Sequence, residues 1–409
     1  MKVLFLGSVI KPEDCTKYIG PSVAGNKMQM GIIKGLSKRL NQHLTVFTQV
    51  PIGAFPKEKK MWIGSGEIQL INGIKAHKVP FINILILKQL FFMINTILML
   101  VLWSLKNRKE DKMILTFNGY PNSSLPVLFV GKLFNVKTVC TFADPPIDVV
   151  ERGIVGRYLK KIESLVTAFT IKKYDGLIVL NEQSIGKYAP AANYILIDGG
   201  FDLDDCPTNH PGGQWLTAKK QDVITGVFSG ALYGYNGIKN LIQAMGFIKG
   251  EHFNLEIYGS GPLEDYVKDA ANRDKRIKFM GNISNDEILK IQQKAGILIN
   301  PRNVNDEVSL YTFPSKMIEY LLSGTPVATT KLNGLTKEYL DNSFVFQNET
   351  PEEIARTIND ILLQDNAELI KMGSSARDFI VNNKNWDKHC QEIAQFLINL
   401  NRIQRNVQT

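Results

Sequence analysis

The feature that most constrains this chain is an alternation. Short apolar, β-branched runs take turns with helix-like segments from the first residues onward, the pattern of a parallel sheet covered by helices. Strands are predicted at Val3–Leu6, Leu44–Thr48, Ala76–Pro80, Met113–Phe117, Thr138–Phe142, Gly176–Leu180 and Tyr194–Ile197. Asp198-Gly199-Gly200-Phe201-Asp202 then breaks the pattern. A polar stretch with Pro207, Pro211, Gly212 and Gly213 runs on to Asp222 as a linker would. The alternation restarts with strands at Val223–Phe228, Leu255–Tyr258, Ile277–Met280, Ile297–Asn300, Val327–Thr329 and Phe344–Phe346. Helices are expected at Ile238–Ile248, Glu264–Asn272, Asp286–Gln293 and Pro351–Leu363. The expectation is an α/β chain with two doubly wound domains, 1–205 and 206–385. A closing helix, 386–409, carries Ile393, Phe396, Leu397 and Leu400 at helical spacing and should pack back toward the first domain. Two such sheets facing each other leave a cleft at the strand carboxyl ends, where doubly wound sheets bind ligands.

Charge is distributed unevenly. Residues 1–200 hold 26 Lys+Arg against 13 Asp+Glu, and the remainder 22 against 26, within a net charge of +9. A basic half suits nucleic acid, an anionic membrane or an anionic substrate. The chain lacks a zinc-finger pattern, an RNP-type aromatic signature and an Arg-rich arm, so nucleic acid is not expected. Cys15, Cys140, Cys206 and Cys390 are far apart, and His389 beside Cys390 is not a ligand set, so no metal site is expected. Met1–Gly7 passes straight into an apolar run without a basic leader, which favours a cytoplasmic protein. None of His43, His77, His210, His252 and His389 sits in a recognisable catalytic setting.

The densest chemical signal is Asn300-Pro301-Arg302, then Phe313-Pro314-Ser315-Lys316-Met317-Ile318-Glu319-Tyr320, then Ser323-Gly324-Thr325-Pro326-Val327. A buried strand ends at Asn300, and a helix begins near Ser315 with its amide N–H groups toward the cleft. Lys316 places a positive charge in the first turn, where a purely structural helix favours Asp or Glu. That suits a diphosphate, and Glu319 one turn on can accept hydrogen bonds from two ribose hydroxyls. An ordinary helix start with both side chains solvated is the plain alternative.

This segment resembles the C-terminal domain of glycosyltransferase family 4, in the capsule and exopolysaccharide subgroup that carries a Phe-Pro-Ser-Lys element. The resemblance extends to Gly230 and Gly237, the turn Ile257-Tyr258-Gly259-Ser260-Gly261-Pro262, Gly281, and Trp386 before the closing helix. It implies a GT-B fold of two Rossmann-like domains. It also implies a retaining transferase of the hexosyltransferase type that uses a nucleotide diphosphate sugar without a metal or other cofactor. Gly230, Gly259, Gly261, Arg302, Ser315, Lys316 and Glu319 would line the donor site. Gly259 and Gly261 serve equally as a tight turn, and an arginine after a strand is common. Three positions depart from the family pattern. Tyr311 stands where a first glutamate is usual, with Glu307 the nearest carboxylate, and Ala231 and Asn236 replace a basic pair. These departures keep open a degenerate, non-catalytic membrane subunit, and a nucleotide-sugar 2-epimerase shares the architecture. Asp202-Leu203-Asp204 matches a D-x-D metal motif but lies in the predicted linker.

In the first domain, Gly20, Gly25, Asn26 and Lys27 precede a helix predicted from about Met28 to Leu40, as an acceptor or phosphate loop or as a plain β–α loop. Asp144, before Pro145-Pro146, is placed to orient or deprotonate an acceptor hydroxyl, or is a turn aspartate. The run Ile84–Leu105 is long enough to cross a bilayer. Strands predicted on both sides belong to one sheet, so it is read instead as a helix lying in the inner face of the plasma membrane. Lys88 and Asn95 would form its polar stripe. Lys57, Lys59, Lys60, Lys106, Arg108, Lys109 and Lys112 would meet anionic headgroups. The expected partners are a nucleotide-sugar donor, a lipid-linked or saccharide acceptor and the membrane surface.

Overall fold

The structure is a computed structural model of the chain, and it describes all residues except 16, 41–42, 72, 149–152, 207–211, 220–221 and 409. Pro207, His210 and Pro211 fall outside the described residues. The chain divides into two compact units, Met1–Asp202 with Trp386–Thr409, and Leu203–Asn385.

The first unit holds β1 (Lys2–Gly7), α1 (Val23–Leu40), β2 (Leu44–Thr48), β3 (Trp62–Ile63), β4 (Glu67–Ile71), β5 (Ile74–Lys78), β6 (Phe81–Ile82) and α2 (Leu85–Lys106). It continues with β7 (Lys112–Phe117), α3 (Pro121–Phe134), β8 (Lys137–Phe142), α4 (Ile154–Ile171), β9 (Gly176–Val179), α5 (Gln183–Tyr188) and β10 (Tyr194–Leu196). Its eight-stranded sheet has the order β10-β9-β8-β7-β1-β2-β5-β4, parallel except for β4. Strand order reverses between β1 and β7, and a doubly wound sheet opens its ligand crevice at that point. β1, β7 and β8 are almost wholly buried because helices cover both faces. On one side α1 meets the closing helix Trp386–Gln408, where Gly31 and Gly35 leave room for Trp386 and Cys390. On the other side Leu100 and Trp103 of α2, Val127 and Val130 of α3 and Ile171 of α4 share one core.

The second unit contains β11 (Ile224–Ser229), α6 (Ile238–Ala244), β12 (Phe253–Tyr258), α7 (Glu264–Arg273), β13 (Ile277–Gly281), α8 (Asn285–Gln292) and β14 (Ile297–Asn300). It ends with α9 (Glu307–Tyr311), α10 (Lys316–Ser323), β15 (Val327–Thr330), α11 (Lys337–Asp341), β16 (Phe344–Phe346), α12 (Pro351–Leu362) and α13 (Asn366–Asn383). All six strands are parallel, in the order β13-β12-β11-β14-β15-β16, with reversal between β11 and β14. Part of the predicted linker belongs to this unit. Trp215 is core and donates its indole N–H to Gly296 O at 2.6 Å, and Gly212 N–H bonds Gly324 O at 2.8 Å.

Two further expectations need correction. α1 starts at Val23, so Gly25, Asn26 and Lys27 are helical rather than part of a loop. Ser22 Oγ accepts the Gly25 N–H, and Asn26, buried, exchanges two hydrogen bonds with the Ile10 backbone at 3.0 and 3.1 Å. Only Gly20, at φ +122°, lies in the loop proper. The polar stripe expected on α2 also faces inward: Lys88 Nζ donates to Ile52 O, Asn95 to Pro80 O at 2.9 Å, and Thr96 accepts from Gln49 at 3.0 Å. Burial pushes the Lys88 pKa down to about 8. Apart from Gln89 and Lys106, the residues of α2 turned to solvent are leucine and isoleucine, among them Ile86, Leu90, Ile94, Leu98, Leu102 and Leu105.

Candidate functional site

The second unit brings its glycine loops together at the carboxyl ends of β11, β12 and β14. Gly230 N–H donates to Tyr258 O at 3.0 Å and Leu232 N–H to Ser260 O at 2.9 Å, so the loops after β11 and β12 are laced side by side. Gly259, at φ +136°, lies so close that a Cβ would strike Gly230 O. Gly237, at φ +73°, is held likewise against the Pro301 carbonyl. These close approaches put backbone, without side chains, around the switch point.

Lys316 rises into that place from the first turn of α10. Its stem is partly accessible, but Nζ is sealed from solvent and has no hydrogen-bond partner. It lies 4.4 Å from the Phe228 ring centroid, and a Cβ on Gly230 would come within 2.8 Å of it. Burial pushes its pKa down to about 7; the Arg302 charge adds to the shift and Glu319 opposes it. A buried ammonium with no hydrogen-bond partner, beside a second cation and only partly offset by Glu319, favours a bound anion.

Arg302 supplies that second charge from below. It is buried, with Nε donating to Ser309 Oγ at 2.8 Å, a terminal nitrogen to Thr312 Oγ1 at 2.9 Å, and its carbon 5.2 Å from the Tyr235 ring centroid. Thr330 Oγ1 fixes its carbonyl at 2.7 Å. Arg302 therefore braces the loop and raises the local potential rather than reaching out to a ligand. Ser315 is exposed, in helical conformation, and its side chain does not cap α10; Met317 N–H bonds Pro314 O instead. Glu319, one turn on, is partly buried within electrostatic reach of Lys316. Tyr320 anchors the turn to β11, its hydroxyl accepting the Ser229 N–H at 2.9 Å. Of the departures from the family pattern, Tyr311 ends α9, Ala231 is exposed, and Asn236 is buried and donates to Ala231 O at 2.7 Å.

In the first unit a second cluster forms at the ends of β7 and β8. Asn118, at φ +60°, receives the Ala143 and Asp144 N–H groups on Oδ1, both at 3.0 Å, and donates to Asp144 Oδ2 at 2.9 Å. Its Nδ2 also lies 3.4 Å from the Tyr120 hydroxyl. The surrounding protein raises the Asp144 pKa, opposed by the Asn118 hydrogen bond and by Lys160, while the residue keeps solvent access. Asn118 was not singled out in the sequence; the signal available was Asn118-Gly119 between a strand and a helix, a dipeptide that tolerates left-handed backbone. Asp202 of the D-x-D match is ion-paired with Lys34 at 2.5 Å, and Asp204 lies in a short turn, Leu203–Asp205.

Residues 224–364, wholly in the second unit, match the profile of the family glycosyl transferases group 1. Sucrose-phosphate synthase from Thermosynechococcus elongatus superposes with a TM-score of 0.70 at 18% identity, over 98% of this chain and 99% of that one. HepE of Anabaena in complex with UDP gives 0.62 at 16%, over 98% and 100%. WaaG, a glycosyltransferase involved in lipopolysaccharide biosynthesis, gives 0.59 at 17%, over 96% and 98%. No curated protein sequence matches the chain. At these identities the superpositions establish the fold, which is GT-B. The group 1 domain matched in the second unit, set in this fold, supports a glycosyltransferase.

Proposed function

We propose that the protein is a retaining transferase of family 4, in the Phe-Pro-Ser-Lys subgroup, which moves a hexose from a nucleoside diphosphate sugar to a membrane-linked acceptor in surface polysaccharide synthesis. The observation that carries the donor half is Lys316 Nζ, unpartnered and dehydrated beside Gly230 and Arg302. A diphosphate there accepts the Lys316 proton donors and neutralises both charges, and the backbone of Gly230 and Gly259 permits close approach. HepE structures hold UDP and UDP-glucose, which makes a uridine nucleotide the first candidate. Glu319 is assigned to the ribose.

Glycosyl transfer needs the leaving diphosphate stabilised and the acceptor hydroxyl aligned. Lys316 supplies the first, and the charge it brings makes a metal ion unnecessary in this reading. Asp144, held by Asn118, supplies the second. The proposed acceptor lies at the cytoplasmic face of the membrane, a reading that the largely leucine and isoleucine outward side of α2 supports. Incubation with a panel of UDP- and GDP-sugars plus membrane extract, followed by assay of nucleotide release, tests the proposal. Release that needs extract and survives EDTA is expected. Release from no donor in the panel, or activity lost to EDTA and restored by manganese or magnesium, contradicts it.

A further inference from the structure

A helix that covers a sheet in water turns its polar side outward. α2 does the reverse, and it is not alone: its neighbours α3 and α4 also show apolar stripes to solvent. On α3 these are Leu125, Phe129 and Leu133, four residues apart; on α4, Tyr158, Ile162, Leu165 and Phe169 follow the same helical face. α3 packs against both other helices, and all three cover the same side of the first unit's sheet. Their stripes therefore adjoin, forming a field wider than the scattered single residues of an ordinary soluble surface.

The charges around this field are predominantly positive, with Glu58 and Glu110 set among the cations. Lys57, Lys59 and Lys60 are exposed near the start of α2, where Asn83, two residues before it, bonds the Lys60 and Met61 carbonyls. Lys106 and Arg108 are exposed at its end, Lys132 on α3, and Lys161 and Lys173 on α4. The carboxylate within these three helices, Glu163, is ion-paired with Lys160 at 2.7 Å. Apolar residues edged by cations fit an anionic bilayer. A second copy would bring cations against cations.

We infer that α2, α3 and α4 together form one face that seats the first unit on an anionic lipid surface, so that contact is made by three helices rather than by α2 alone. The inference rests on the membrane reading above and specifies its surface. It also fixes orientation. Tyr120 precedes α3 at the carboxyl ends of β7 and β8, where Asn118 holds Asp144, so seating this face keeps those strand ends beside the headgroups that present a lipid-linked hydroxyl.

An environment-sensitive NBD probe reports the contact when attached singly at Ile94→Cys, Phe129→Cys or Phe169→Cys. The background is Cys206→Ser, the other three native cysteines being buried. With phosphatidylcholine vesicles containing phosphatidylglycerol, emission should rise and shift blue at all three sites, and Phe129→Ser with Phe169→Ser should weaken vesicle binding at least about tenfold. A response at 94 alone overturns the three-helix face and leaves the α2 reading standing. No vesicle binding by any labelled protein overturns both. A response that grows with protein concentration in the absence of lipid makes the face a self-association surface and overturns the inference.

Discussion

Lys316 is where the chemistry of this chain is most exposed to test. Its pKa near 7 in the folded protein lies below the usual value of 10.5, so between those limits the unfolded chain binds the extra proton. Stability of the ligand-free protein should therefore rise with pH from about 7 to 10.5. Lys316→Met removes this penalty and should stabilise the ligand-free protein at pH 7 by a few kcal/mol, on the order set by a shift of that size. Thermal melts across pH check both outcomes. The same substitution should abolish catalysis, and Glu319→Ala should lower activity at least about tenfold, the loss of one good hydrogen bond. Asn118→Gly keeps the left-handed backbone but removes the contacts to Asp144. Because Asn118 lowers the Asp144 pKa, its loss should move the acid limb of the kcat profile to higher pH as kcat falls. An unchanged profile would reduce Asn118 to a turn residue. The charge at Lys316 was legible as an anomaly in a first helical turn. Its sealing was not, since Phe228 and Gly230 reach it only through sheet pairing.

At the scale of elements, α2 gives the clearest separation of alternatives. Ile94, Leu98 and Leu102 face solvent, so replacing all three with serine should leave the melting temperature nearly unchanged while releasing the protein from anionic vesicles in flotation. Phe92 and Trp103 are core residues, and serine there should cost on the order of 3–5 kcal/mol each. A helix that simply covers the sheet would show the second effect without the first. The buried parallel strands were readable because β-branched runs such as Ile297–Asn300 have no solvent face to alternate with. The marginal strands were not: β4 is half exposed and antiparallel, and β3 and β6 are two residues each. The start of α1 was misplaced because Gly25 suggests a loop, whereas Ser22 caps a helix that carries the glycine inside its first turn. Facing of α2 was hidden for a related reason. Lys88 and Asn95 look like a solvent stripe until the carbonyls of Ile52 and Pro80 are seen to claim them.

For the whole molecule, two sheets with reversal points at β1/β7 and β11/β14 supply a pair of loop clusters with different chemistry. The first unit offers a positioned carboxylate and a basic, apolar helical surface; the second offers backbone glycines around a sealed cation. This division was visible in sequence as the charge asymmetry between residues 1–200 and the remainder, and as the strand pattern on either side of Asp198–Asp222. The account stands or falls on a nucleoside diphosphate neutralising Lys316. Calorimetric titration of UDP and GDP into the protein, repeated across pH and with Lys316→Ala, measures this directly. The account predicts that at least one nucleotide binds with proton uptake above pH 7, with affinity that falls as pH rises, and at least about tenfold more weakly in the variant. Binding of equal strength in the folded variant, or without proton uptake in the wild-type protein, would contradict it.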